Sequence, residues 1–326
     1  MRAAWYERNG PAAEVITIGE MPTPKPAPGE VLVRLATSGV NPSDWKTRSG
    51  RSRPIAWPRV IPHSDGAGTI EAVGEGVPRG RIGERVWIWN GQWKRAHGTA
   101  AECIALPAAQ AVRLPDGTGF DAGACLGIPA LTALHAVLTD GGVTGQRVLV
   151  TGGAGSVGHY AIQFARLLGA AQVIATVSGP EKAAHALAAG ADACVNYRSE
   201  DVAARVLDLT GGQGVERVVE VDVTGNAALY AQLLSPFGLA AVYGANGAGA
   251  EFSFGPAILK GVGVRFFIVY ELTAAQRATA IAALQGWLEA GLLRHAIAAR
   301  MKLADCAAAH DAVEAGRLIG NLVLEC

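Results

Sequence analysis

Short apolar runs set off by Gly/Pro turns dominate the first third of the chain. GEVLVRLA (residues 29–36), DGAGTIEAVG (65–74), GERVWIW (83–89) and AAECIALP (100–107) predict strands, and together a compact, mostly β domain over 1–122. From about residue 123 strands and helices alternate instead. Strand 148–151 leads to a helix over 156–169, then strand VIATVS (173–178) and helix EKAAHALAAG (181–190). Strand CVNYR (194–198), helix EDVAARVLDLTG (200–211), strand ERVVEVD (216–222), helix NAALYAQLL (226–234) and strand LAAVYG (239–244) follow. VRFFIVYE (264–271) predicts one more strand, and 273–293 a helix leading away from the sheet. Alternation with short connections implies a parallel, doubly wound sheet over 123–271. Ligands gather where such a sheet reverses its winding. The expectation is therefore an α/β chain of two domains.

One segment carries specific chemistry. VLVTGGAGSVG (148–158) places Gly153, Gly155 and Gly158 as G-x-G-x-x-G between a strand and a helix. Ala161, Phe164, Ala165 and Leu168 give that helix one small and apolar face for the sheet. The first glycine suits a tight turn, the second a close approach of backbone to pyrophosphate, and the third close helix–strand packing. Free N–H groups and the positive dipole end at the helix start complete an anion site. The motif is weak alone in a chain with 42 glycines; its setting makes it a dinucleotide site.

Composition removes several other classes. Lys+Arg and Asp+Glu number 28 each, which leaves no electrostatic footprint for nucleic acid or an anionic membrane. No apolar run approaches the roughly 20 residues that span a bilayer, and the first residues lack a signal-peptide apolar region. Five cysteines stand far apart without a C-x-x-C pair, as in a reduced, cytoplasmic protein.

The position that selects the cofactor lies about 20 residues past the glycines, where an NAD site carries Asp or Glu for the ribose 2′-OH. Here it falls on Ser178, with Lys182 one turn on and Tyr197-Arg198 after the next strand. A hydroxyl and cations suit a 2′-phosphate, so the expected cofactor is NADPH.

Several motifs in order now carry a resemblance: SGVNPSDWKTRSG (38–50), PHSDGAGTIEAVGEGV (62–77), GERVW (83–87), CLGIPALTALHAV (125–137), the glycine turn, GADACVNYRSEDV (190–202) and AHDAVEAGRLIGNLVL (309–324). The chain resembles, end to end, the zinc-independent medium-chain dehydrogenase/reductases, specifically the NADPH:quinone reductases of the zeta-crystallin type. The resemblance implies a GroES-like β domain over 1–122, completed by 272–326, and a Rossmann domain over 123–271. It also implies a cofactor and acceptor meeting between the domains. A homodimer or homotetramer, joined through Rossmann edge strands such as VRFFIVYE, is implied too. Zinc-dependent relatives carry Cys in G-V-C-x-x-D and His in G-H-E-G-A-G. Asn41 and Ser64 stand there instead, with Asp65 in the Glu position and His63 one residue out of register. A catalytic zinc needs about three converging N/S/O ligands, so no metal is expected.

Carried over by motif, Ala154, Gly155, Ser156, Val157 and Gly158 meet the pyrophosphate, and Ser178, Lys182 and Tyr197 the 2′-phosphate. Asn226 and Tyr243-Gly244-Ala245-Asn246 form the adenosine- and nicotinamide-side walls. Phe267, Ile268 and Val269 resemble the segment that anchors the carboxamide, Thr132 lies in the nicotinamide-side segment, and Arg317 in the C-terminal G-R motif. Two departures are Lys46, often Tyr in the family, and Asn321, often Lys. A quinone is electrophilic enough to accept a hydride, or single electrons, without a metal. The protein's part is orientation and exclusion of water. Asn41 is the candidate for orienting the acceptor oxygen and Lys46 for donating a proton or hydrogen bond; a plain turn and a solvated charge are the bland alternatives. The competing functions are NADPH-dependent reduction of an enone, alkenal or enoyl thioester, and an NADPH-binding structural or regulatory protein.

Overall fold

The apolar runs of the first third fold into β1 (Arg2–Trp5), β2 (Thr17–Glu20), β3 (Glu30–Val40), β4 (Asp65–Val73), β5 (Arg85–Ile88), β6 (Cys103–Pro107) and β7 (Ala111–Arg113). The structure is a computed structural model that describes residues 1–326. β3 pairs antiparallel with both β4 and β6 and is the spine of this sheet. Its alternate residues Val31, Val33 and Leu35 bury one face against Ile70, Val86, Ile88, Ile104 and Leu106. The strand runs on past residue 36 because Thr37, Ser38 and Gly39 continue the ladder to β4. Gly39 is required there, since a Cβ would overlap the Ala124 carbonyl.

The alternating region forms β8 (Arg147–Val150), β9 (Gln172–Val177), β10 (Ala193–Asn196), β11 (Val215–Glu220), β12 (Leu234–Val242) and β13 (Gly263–Phe266). They lie in the order β10-β9-β8-β11-β12-β13, every pair parallel. Winding therefore reverses between β8 and β11. Leu149, Ile174, Val195, Val218 and Ala240 form part of the core on one side. The helix Ser156–Leu167 contributes Tyr160, Ala161, Phe164 and Ala165, all fully buried. Arg217, also buried, ties the end of helix Leu131–Leu138 to the sheet by donating to the carbonyls of Ala136, Thr139 and Gly142. It fills the orphan acceptors that a helix C-terminus leaves.

The tail adds β14 (Ile297–Lys302), helix Cys306–Glu314 and β15 (Asn321–Glu325). β15 pairs antiparallel with β3, giving a seven-stranded sheet in the order β14-β15-β3-β4-β5-β7, with β6 on β3. The chain divides into Met1–Pro129 with Leu284–Cys326, and Ala130–Ala283. These boundaries differ from 122/123 and 271/272. Ala124 packs on Gly39, and Gln285 bonds Trp87 Nε1 at 3.2 Å and the Arg113 carbonyl at 2.9 Å.

Two elements depart from the expected ones. VRFFIVYE is a strand only through Phe266; Val269–Glu271 is a 3-10 turn whose Val269 and Tyr270 carbonyls accept from Arg277. In place of one helix over NAALYAQLL there are helix Val223–Asn226, a 3-10 turn over Ala227–Leu229 and helix Tyr230–Leu233, which stops there because β12 begins at Leu234. No helix is long and apolar enough to cross a membrane.

Candidate functional site

The glycine turn leaves β8 at the switch point, but its glycines divide the work differently from the expectation. The left-handed residue is Gly152, at φ +66°, outside the motif. Gly153 instead makes room for a neighbouring strand: a Cβ would lie 2.6 Å from Ala175 Cβ. Gly158 sits against the turn itself, where a Cβ would overlap the Gly152 carbonyl. Gly155 is the open one. It caps the helix Ser156–Leu167 at φ −79°, and a Cβ would meet only the Gly152 oxygen, at 3.3 Å. No side chain caps this helix and no acidic residue lies in its first turn to offset the positive end at Ser156, Val157 and Gly158. Ala154 is buried within the turn.

Beyond β9, Ser178 is half-buried and leads through Gly179 into helix Pro180–Ala188. The side chains of Ser178, Lys182, Tyr197 and Arg198 engage no protein partner, and Tyr197 is 51% exposed. Glu181 is the one carboxylate of this turn, and it is exposed. At the end of β11 lies a cluster that sequence reasoning missed. The fully buried Glu220 Oε1 accepts from Thr151 Oγ1 at 2.8 Å, the Asp222 N–H at 2.6 Å and Asn226 Nδ2 at 2.9 Å. It joins the ends of β8 and β11 across the switch point. A carboxylate closing the strand VERVVE directly after two valines was its only sequence signal. Asn226 ends its short helix rather than starting one, and its amide is committed to Glu220.

Tyr243, Gly244, Ala245, Phe267 and Ile268 line one cavity of about 500 Å³ with Val223 and Thr224. Burial and the nearby Glu220 carboxylate hold the Tyr243 phenol above its usual range. Asn246 is fixed beside it, donating from its backbone and Nδ2 to Asp222 at 2.9 and 2.8 Å. Thr132 and Val269 are buried and do not line this cavity; the Val269 carbonyl serves Arg277.

In the other unit Asn41 precedes helix Pro42–Arg48. Its backbone N–H donates to Asp44 at 2.7 Å and its Nδ2 to Asp65 at 2.8 Å. All three residues are buried. Burial pushes the Asp44 carboxyl up to about 7 and holds Asp65 well above the usual carboxylate range. Lys46, on the same helix, is half-buried with Nζ 5.9 Å from the Trp45 ring centroid. Arg317 is exposed, past the end of helix Cys306–Glu314, and Asn321 donates to the Ala296 carbonyl at 3.1 Å.

A catalytic zinc does not fit at Asn41, Ser64 and Asp65. The Asn41 amide presents an N–H to Asp65, and the Ser64 hydroxyl accepts from the Gln92 N–H at 3.4 Å. One carboxylate is left where about three converging ligands are needed. A dinucleotide phosphate does fit the turn, because Gly155 alone keeps its approach open.

The fold and this turn define a nucleotide-binding oxidoreductase of the GroES-plus-Rossmann class. Residues 27–116 match the family model of the alcohol dehydrogenase GroES-like domain, and 156–285 that of the zinc-binding dehydrogenases. A quinone oxidoreductase of Pseudomonas aeruginosa is 33% identical over 319 residues, covering 95% of each chain. A 2-haloacrylate reductase of a Burkholderia species is 31% identical, covering 99% of this chain and 98% of its own. Among solved structures, the Escherichia coli quinone oxidoreductase complexed with NADPH superposes over 100% of both chains, with a TM-score of 0.87 at 26% identity. The chain belongs to the zinc-independent medium-chain dehydrogenase/reductases, in the quinone oxidoreductase family.

Proposed function

We propose that this chain reduces quinones with NADPH, without a metal. The observation that carries the reading is the end of β9. Ser178 stands where an NAD site has an acid, and Lys182, Tyr197 and Arg198 leave their side chains unengaged beside it. The E. coli neighbour is a quinone oxidoreductase complexed with NADPH, which supports the same cofactor here. NADPH supplies the hydride when bound; the residues of this chain bind, orient and exclude water. The Gly152–Gly158 turn receives the pyrophosphate and Ser178, Lys182 and Tyr197 the 2′-phosphate. Tyr243, Gly244, Ala245, Phe267 and Ile268 give an apolar wall, with Asn226, Asn246 and Glu220 holding the strand ends that carry it. Asn41 has one amide N–H tied to Asp65. Its second N–H is the group that orients the acceptor oxygen, and Lys46 is the donor of a proton or hydrogen bond.

The test is turnover with NADPH on 1,2- and 1,4-quinones, enones and 2-haloacrylate. Quinones should give the highest kcat/KM. Asn41→Ala should lower it about 5- to 150-fold, the worth of one oriented hydrogen bond of roughly 1–3 kcal/mol, with NADPH affinity unchanged. Full activity in a folded Asn41→Ala protein would remove Asn41 from the site. The Burkholderia relative favours a second reading, reduction of an activated C=C bond; turnover of 2-haloacrylate above every quinone selects it. Cofactor binding with no turnover on any acceptor selects a structural role.

We also propose a homodimer, or a tetramer of such dimers. β13 is an edge strand, and Phe254 (75% exposed), Ile258, Leu259 (89%) and Phe266 leave large apolar side chains in the open beside it. Sedimentation should give a dimer that Leu259→Asp dissociates; a monomeric parent refutes it. The five cysteines are all unpaired, which supports a reducing, cytoplasmic setting.

A further inference from the structure

Three metal-ligating side chains converge where the tail helix meets the loop before β4. Cys306 and His310 stand one turn apart on helix Cys306–Glu314, and His63 approaches from the loop. All three are fully buried, and one ligating atom of each lies within 4.8 Å of the other two. The His63 and His310 rings are stacked, with Nε2 atoms 2.9 Å apart.

The proton positions follow from where the hydrogen-bond chain ends. The Thr99 hydroxyl donates to the Asp65 carbonyl oxygen, which can only accept. Thr99 Oγ1 therefore accepts from the Ser38 hydroxyl at 2.9 Å, and Ser38 Oγ accepts from His63 Nδ1–H at 2.9 Å. That fixes His63 with the lone pair of Nε2 aimed at His310, the arrangement that orients a ligating imidazole. His310 must then carry its proton on Nε2. Its Nδ1 is left as a bare acceptor, buried and without a partner. The Cys306 thiol makes no hydrogen bond either. His63 is also held at φ +74°, an uncommon conformation for a residue with a side chain.

We propose that Cys306 Sγ, His310 Nε2 and His63 Nε2 form a three-coordinate site for a soft monovalent ion, Cu(I). On binding, the Cys306 thiol loses its proton to solvent and the sulfur bonds the metal. His310 moves its proton from Nε2 to the vacant Nδ1, and His63 binds as it stands. Metal–N distances of about 2.0 Å and metal–S of about 2.3 Å put ligand atoms roughly 3.5–3.7 Å apart, so the two Nε2 atoms, 2.9 Å apart, part by about half an ångström and the Cys306 sulfur, within 4.8 Å, settles at about 3.7 Å from them. The group contains no fourth His, Cys, Asp or Glu, whereas structural zinc takes four ligands and soft thiolate sites select Cu(I). One thiolate neutralises a monovalent ion. A divalent ion would leave a net positive charge in a fully buried site.

The test is an anaerobic titration of the purified chain with Cu(I) held by bicinchoninate, with a parallel titration of Zn²⁺. Wild type should take one equivalent of Cu(I) from the chelator and melt at a higher temperature with it. Cys306→Ser and His310→Gln should lose that equivalent, while Cys194→Ser, in β10, should keep it. Copper X-ray absorption should read one sulfur and two nitrogens. His310→Gln and the absorption spectrum carry the test if Cys306→Ser does not fold. Equal uptake by wild type and the folded variants, or a copper site without sulfur, overturns the proposal. One equivalent of Zn²⁺ bound with no uptake of Cu(I) overturns the monovalent assignment.

Discussion

Gly155→Val separates binding from folding. Gly155 lies at φ −79°, ψ 172°, a conformation open to any residue. A Cβ there meets only the Gly152 carbonyl oxygen, at 3.3 Å, which must give by a few tenths of an ångström. The folding cost should stay below about 1 kcal/mol, or roughly 1–2 °C in Tm for a chain of 326 residues. The branched side chain would nevertheless stand where the proposed pyrophosphate must approach backbone. Losing two charge-assisted bonds of about 1.5–3 kcal/mol each removes about 3 kcal/mol or more, at least a 100-fold loss of NADPH affinity. Gly158→Ala should do the reverse in kind. Its Cβ would overlap the Gly152 carbonyl and sit 2.8 Å from Gly153 Cα. Both neighbours are backbone, so the cost is overpacking of roughly 1–3 kcal/mol. NADPH fluorescence titration and thermal denaturation on both variants make the assay. NADPH binding by Gly155→Val within threefold of wild type would refute the reasoning, and so would a Tm loss equal to that of Gly158→Ala.

Ser178→Asp should shift the preference from NADPH toward NADH by about 10- to 100-fold, through lost hydrogen bonding and charge repulsion with the 2′-phosphate; equal dissociation constants for the two cofactors in wild type would remove the basis of this expectation. Quinone turnover should survive prolonged EDTA treatment, because Asn41 and Ser64 cannot complete a zinc site; activity lost with zinc and restored by it would refute this. Asp44 should make the parent less stable at alkaline pH. Burial pushes its carboxyl up to about 7 in the folded state against about 3.9 unfolded, so the folded state holds the extra proton between those values, and stability falls as pH rises from about 4 to 7 and levels off above 7. Between pH 5.5 and 8.5 wild type should lose about 2 kcal/mol relative to Asp44→Asn, read by urea denaturation; a pH-independent difference between the two would refute it.

How much of this was legible in the chain depended on the range of the interactions. Strands β8–β12 were readable because a sheet covered on both faces needs near-continuous apolar runs, and VLV, VIATV and LAAV are such runs. Composition shifts mark where texture changes, whereas the units are bounded by packing: Gly39 receiving Ala124 and Trp87 receiving Gln285 leave no local trace. VRFFIVYE is a good strand pattern cut short by one tertiary event, Arg277 taking the carbonyls of Val269 and Tyr270. The glycine motif was legible as a unit, but not which glycine turned the chain, since Gly152 and Gly153 are adjacent and only φ tells them apart.

The site divides along the same line. Residues near one another in sequence, from Ala154 to Gly158, lie together at the turn after β8, a local arrangement that pattern can express. Glu220 was passed over because its partners Thr151 and Asn226 come from other strand ends, and strand periodicity says nothing of which strands become neighbours. Asn41 and Asp65 are 24 residues apart, yet β3 and β4 pair Gly39 with Asp65. That register brings the Asn41 amide to the Asp65 carboxylate at 2.8 Å. The proposed acceptor group, Asn41, therefore stands at the position of a zinc ligand and is held there by a buried acid. Replacing a metal by a carboxylate-oriented amide exchanges Lewis acidity for a fixed hydrogen-bond donor. Such a donor is sufficient only for an acceptor that is electrophilic by itself, and that requirement, more than any pocket shape, favours quinones over simple carbonyls here.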